Sequence, residues 1–373
     1  MRPSRGSGRD KTPTGDRGVR WRRVGILRAL QRRILEAVAA EFLVFTLLGL
    51  RFHGVFAALK PLIPVFGFAM LLQPMYAMRL GAGLLRRIRA SALAATLALY
   101  ALVYPALTLV FAPLWVDLLP TSLHPMLAGV VLVALSPVAM PAPAFVSMLG
   151  GSVELSVATV VLTFLAAPIV IPAYTLLALH RVVHLPPAAV LRSILLFIAA
   201  PLVVAQTAKS LAYRLAGGGV CGAYAVEKLG TVLAWVSTLS LYAIIAVAFG
   251  NAAPLVARNA GYAAMLVATL LAYNGVRHGV AYAAARLLRL GYEEEVALVY
   301  VGSQNGALGM ALAAGVGGVE ALVGAVLAGP VAVILSMSIV ARIYARRASR
   351  TARPPSPGSS RGRTSRRSPT PSP

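Results

Sequence analysis

The chain has 373 residues, 58% of them hydrophobic and only 12% charged, with a mean hydropathy of +0.78. Soluble domains are roughly 45–50% apolar and about 25% charged, so this composition excludes a soluble globular protein. The net charge of +24 is concentrated at the ends, and the single cysteine, Cys221, excludes disulfides within the chain, cysteine metal clusters and Cys–Cys redox pairs.

Residues 1–33 carry eleven Lys/Arg against Asp10 and Asp16 and lack the apolar residues to bury anything, so they read as a disordered basic tail. The first apolar run follows more than thirty mostly polar residues and has no cleavage-site pattern, which makes it a span rather than a signal peptide. Ten candidate helices then follow, at 36–52, 60–79, 91–112, 124–148, 153–178, 189–210, 229–249, 260–285, 295–314 and 319–343. Each approaches the roughly 20 apolar residues that cross a bilayer, and no strand-period alternation favours a barrel. The expected fold is therefore all-α, a polytopic membrane protein with a transporter domain over 34–344. Residues 345–373, rich in Ser, Pro and Arg, read as a second disordered basic tail. Contact with anionic lipid headgroups accounts for the charge of both tails, and no specific nucleic-acid partner is expected.

With both termini cytoplasmic, the inner segments collect 29 of the 35 Lys/Arg and the outer ones five, with Arg277 inside a span. That asymmetry sets the orientation. Ten spans also divide as five plus five, over about 36–180 and 189–344, and an odd number per half inverts the second half relative to the first.

The fourth span contains "LSPVAMPAPAFVSMLGG", with Pro137, Pro141 and Pro143 inside an otherwise apolar run. Each proline costs about 3 kcal/mol or more in a helix interior, so this span is expected to break. Its counterpart in the second half, the ninth span, reads "VALVYVGSQNGALGMALAAG" and places Ser303, Gln304 and Asn305 between Gly302 and Gly306. Interruptions at matching positions of two halves point to a transporter binding site, where freed carbonyls and helix ends meet a polar solute near the midplane.

Other polar residues carry two readings each. Arg277 and His278 sit in "AYNGVRHGVAYAAARLL" of the eighth span. We read Arg277 as snorkelling towards the cytoplasm from a long helix, the other reading being an anion contact or a proton-linked switch with His278. Gly275 and Gly279 form a GxxxG face expected to pack closely on a neighbouring helix. Glu154 is a solvated acid at a helix N-terminus or a substitute cation or proton site, and Glu293, Glu294 and Glu295 are a capping run with no further role. There is no HExxH, P-loop or GxSxG pattern, so the protein is not expected to be an enzyme.

Three fragments in order, "LGLRFHGVFAALKPLIPVFGFAMLLQPMYAMRL", "LSPVAMPAPAFVSMLGGSVELSVATVVLTFLAAPIVIPAYTLL" and "LGYEEEVALVYVGSQNGALGMALA", resemble the bile acid:sodium symporter family, in the superfamily with arsenite permeases. The resemblance covers about residues 37–344. It implies a panel domain and a core domain, with the fourth and ninth helices crossing at unwound middles. It also implies a secondary active transporter that moves a small organic or inorganic anion by alternating access. Sodium ions or protons would be the coupling ions, with no resident cofactor; sodium would be met at Gln304 and Ser156, with Asn305 beside them. Thr159 and Thr163 face the break from the fifth span, and Ser136 to Pro143 shape it. In the family pattern an acid falls on Tyr300, a Gln on Tyr100, a Ser-Asn pair on Ala142-Pro143 and a Thr on Val160. The arsenite branch implies a Cys at the fourth-span break, which this chain lacks. An arsenite or proton-coupled exporter is the rival reading, and a membrane receptor or scaffold acting through the basic tails is the rival of another class. The expected partners are the lipid bilayer and a small solute, and the expected location is the plasma membrane; the oligomeric state stays open.

Overall fold

A computed structural model describes residues 34–78, 88–179, 188, 192, 195–316 and 318–351. The expected tail 1–33 and residues 352–373 lie outside the described residues, as do the inner-loop arginines Arg79, Arg86 and Arg87.

The described chain is all-helical, and its one isolated β-bridge is not part of a strand. The helices are α1 Ile34–Arg51, α2 His53–Ala77, α3 Ala90–Leu118, α4 Pro125–Ala134, α5 Ala142–Met148 and α6 Val153–Leu179. The second half holds α7 Leu195–Leu215, α8 Gly219–Arg258, α9 Ala260–Leu287, α10 Tyr292–Val299, α11 Gly306–Val316 and α12 Gly318–Arg347. Every expected span has a helical counterpart. Among the described residues six helices are long and apolar enough to cross a membrane, and α4 and α11 are shorter apolar pieces. The protein is a multi-pass membrane protein.

Three of the prolines within helices have a local solution. Turns of π-helix lie just before Pro105 (Leu99–Val103) and Pro201 (Leu195–Ala199), and a third encloses Pro330 (Leu327–Val333). A wider turn absorbs the hydrogen bond that the ring removes, so these helices continue where the fourth span does not. At the other extreme α8 runs for 40 residues, well past the expected 229–249. Gly217, Gly218 and Gly219 turn the chain at φ 78, 68 and 54, and nothing in the following "VCGAYAVEKL" stops a helix.

Helix packing falls into two groups. One is α1, α2, α7 and α8; the other surrounds α4 and α11 with α3, α5, α6, α9, α10 and α12. The groups meet where α11 lies on α2 and α12 on α8. Within the second group, glycines let backbones touch: a Cβ on Gly129 of α4 would meet Ala321 of α12, and one on Gly324 of α12 would meet Met126 of α4. The GxxxG face of α9 does not do this. Gly275 and Gly279 have open space around them and line a cavity of about 480 Å³ between α9 and α12, with His278, Tyr344 and Arg347.

Two ends differ from expectation. The last helical segment, Ile334–Thr351, continues past residue 345, where the sequence places the start of a disordered tail. Glu295 explains why. It is buried, accepts hydrogen bonds from Tyr344 at 3.0 Å and Arg347 at 2.7 Å, and lies 3.7 Å from Arg286. Glu295 is therefore the tie between α10 and the end of the last helix, not merely a capping residue. Glu294 pairs with Arg89 at 3.8 Å.

Candidate functional site

The fourth span breaks because Pro137 has no N–H to continue α4 and its ring disfavours helical geometry in Ser136. The other two prolines act differently. Pro141 is the N-cap of α5 and Pro143 lies in its first turn, where a missing N–H costs nothing. One proline ends the first half-helix and two begin the second.

The ninth span breaks without proline. After α10 the chain makes one 3-10 turn, Tyr300–Gly302, extends through Ser303–Asn305, and enters α11 at Gly306. Asn305 accepts from the Leu308 N–H at 2.9 Å through its side chain, the N-cap bond that starts a helix.

The two breaks meet. Val138 and Gln304 form an antiparallel bridge in which Ala139 N–H donates to Ser303 O at 2.9 Å and Asn305 N–H donates to Pro137 O at 2.7 Å. Backbone groups that each helix has lost are satisfied by the other, as burial in a membrane interior demands. From α6, the Thr163 hydroxyl accepts from Val138 N–H at 3.2 Å and donates to Thr159 O at 2.9 Å. Thr159 in turn shares a hydrogen bond with Thr96 at 3.3 Å. Ser136 donates to Leu132 O at 2.7 Å, and Tyr100 to Leu135 O at 3.3 Å.

Arg277 is the centre of the arrangement. It is 1% exposed and donates from Nε to Gly302 O at 3.0 Å and from Nη1 to Ala134 O at 2.6 Å. These carbonyls belong to the last helical residue before each break. Nη1 also donates to the Tyr273 hydroxyl at 3.0 Å, which leaves that hydroxyl to donate to Thr108 at 2.8 Å. The guanidinium lies 4.0 Å from the centre of the Tyr104 ring, a cation–π distance. This corrects the snorkelling reading: Arg277 does not reach for the membrane edge, because two half-helix ends supply its acceptors inside the protein.

Beside it, Gln304 donates to Asn274 Oδ1 at 2.8 Å. Gln304 Oε1, Ser303 Oγ and the Tyr104 hydroxyl are buried without partners among the described residues. His278 donates from Nδ1 to Val299 O at 2.9 Å, while its Nε2 has no partner. Tyr300 turns its hydroxyl to Met337 O at 3.2 Å and stacks on Phe145.

The structure thus gathers Ser136, Thr159, Thr163, Ser303, Gln304, Asn305, Arg277 and Tyr100 at or against the crossing. Ser156 is buried on the same helix as Thr159, with no hydrogen bond to the crossing. Glu154 is exposed in the first turn of α6, where the helix dipole favours it, and does not substitute for an acid at the buried site. Tyr104, Tyr273 and Asn274 were missed in the sequence. Two of them carried a signal in helical spacing, since Tyr273 precedes Arg277 by one turn and Asn274 by three residues; Tyr104 carried none.

The profile of the Sodium Bile acid symporter family matches residues 64–259, just over half of the chain. The matched stretch contains the fourth-span break and stops short of the ninth. No curated protein matches the chain.

Proposed function

The chain belongs to the Sodium Bile acid symporter family, and from that premise we propose that it moves a small organic or inorganic anion by alternating access at the crossing. It is a membrane transporter of the bile acid:sodium symporter type, not an enzyme. The observation that carries the anion reading is the crossing itself: two chain breaks joined by backbone hydrogen bonds around a buried guanidinium. A joint made of extended backbone can tilt against its surroundings without unwinding a helix, and the unpartnered Ser303 and Tyr104 hydroxyls, which can donate, suit a polar anionic solute near a fixed positive charge.

In this reading Ser303, Gln304 and Asn305 face the solute, while Ser136, Ser156, Thr159 and Thr163 support the joint. The halves 36–180 and 189–344 act as inverted repeats, the termini are cytoplasmic and the protein resides in the plasma membrane. Cys221 is exposed on α8, so no thiol lies at the buried crossing and arsenite has no soft ligand there.

The test is uptake by the purified protein in proteoliposomes, using a labelled conjugated bile acid, a monocarboxylate, a dicarboxylate and arsenite. Saturable uptake of an organic anion is expected, and Gln304→Ala is expected to abolish it while the variant remains monodisperse. Wild-type rates in Gln304→Ala, or no saturable uptake of any solute, would remove the reading.

A further inference from the structure

We propose that Arg277 is a resident cation occupying the place at the crossing that a coupling ion would need, so that the protein moves its anion without sodium. The inference rests on the transport reading for its meaning, but its geometry stands alone.

A helix ends in carbonyls without intrahelical partners and a partial negative charge. Here two such ends, at Ala134 and Gly302, point at one spot, a natural seat for a cation bound by oxygens. The seat is taken. Arg277 bonds both carbonyls, and the Tyr104 ring lies 4.0 Å from its guanidinium. The guanidinium is tethered to the chain, so unlike a bound ion this cation does not leave its seat.

A sodium ion entering beside it would meet a like charge, and the two carbonyls that would bind it are already engaged. Nor do the described side chains offer an acid to offset that repulsion. Glu295 is the only buried carboxylate among the described side chains, and Tyr344 and Arg347 engage it. Tyr300, the residue that the resemblance aligns with an acid, is neutral in kind and directs its hydroxyl to Met337 O. What remains beside the guanidinium favours a solute of opposite sign. Nη2 makes no hydrogen bond to a described residue, and the Ser303 hydroxyl is buried without a partner, so both can donate to an anion.

The experiment reads cation binding without any flux, so its failure is distinguishable from failure of the transport reading. Purified full-length protein is tested for equilibrium binding of radioactive sodium and for thermal unfolding in sodium, potassium and choline chloride at equal ionic strength. No sodium binding and identical unfolding temperatures in the three salts are expected. A sodium-specific rise of the unfolding temperature, or stoichiometric sodium binding, overturns the proposal. Arg277→Ala is then expected to unfold at lower temperature and to be restored by millimolar methylguanidinium, which leaves the wild type unchanged. An Arg277→Ala protein as stable as wild type and indifferent to methylguanidinium also overturns it. If that variant does not fold, Arg277→Lys, which keeps the charge, is expected to fold and remain blind to sodium; sodium-dependent stabilisation of the Lys variant counts against a resident cation.

Discussion

Ser303 is fully buried, and its hydroxyl has no partner among the described residues. An unsatisfied buried polar group costs about 1–3 kcal/mol, an arrangement that a purely structural position would shed. Ser303→Ala is therefore expected to leave the unfolding temperature unchanged or raise it, while transport falls; thermal unfolding and proteoliposome uptake measured on the same preparation check both. Thr163 gives the opposite pattern. Its hydroxyl both accepts from Val138 and donates to Thr159, so Thr163→Val strands a backbone N–H inside the crossing. A loss of about 1–3 kcal/mol in stability is expected, seen as a lower unfolding temperature. At this scale the sequence was partly legible. Ser303, Gln304 and Asn305 stood out because three polar residues between glycines are rare inside an apolar run. Asn274, Tyr273 and Tyr104 did not, because each is ordinary alone and gains meaning only from what folds against it. Arg277 was visible as a costly residue, but its acceptors are backbone carbonyls, which no side-chain pattern announces.

Among the helices, glycine shows how context decides. Gly324 and Gly275 look alike in the sequence, each in an apolar helix with a second small residue nearby. A Cβ on Gly324 would enter the Met126 backbone of α4, whereas one on Gly275 meets open space. Gly324→Val is expected to prevent folding, with the protein lost as aggregate in size-exclusion chromatography, and Gly275→Ala to elute and unfold as wild type. The expected GxxxG packing face on α9 failed for this reason: the motif permits close approach, but the neighbour lies across a cavity. The breaks were more legible. Three prolines within seven residues could not form a smooth helix, and they did not. The sequence could not reveal that Pro141 and Pro143 start a helix rather than interrupt one, since that depends on where the chain has already turned.

For the molecule as a whole, the all-helical, multi-pass character followed from hydrophobic run length, because in lipid the backbone has few alternatives. The tail boundary did not, since the sequence assigns the arginines past 345 to a disordered tail at the lipid headgroups, while Arg347 pairs with buried Glu295. A chain ending at Thr351 is accordingly expected to transport at full-length rates, which would leave the basic tail no part in transport. One ending at Tyr344 should lose about 1 kcal/mol of stability along with the Glu295–Arg347 pair, as measured by thermal unfolding. The antiparallel bridge has a consequence of its own. Its two bonds join main-chain atoms only, so neither depends on a side chain for its donor or acceptor. Side chains at 138, 139, 303 and 304 that fit the buried crossing leave both bonds in place, whereas a proline at 139 or 305 deletes a donor and breaks one. The fastening of the two arms is thereby separate from the side-chain chemistry that surrounds it.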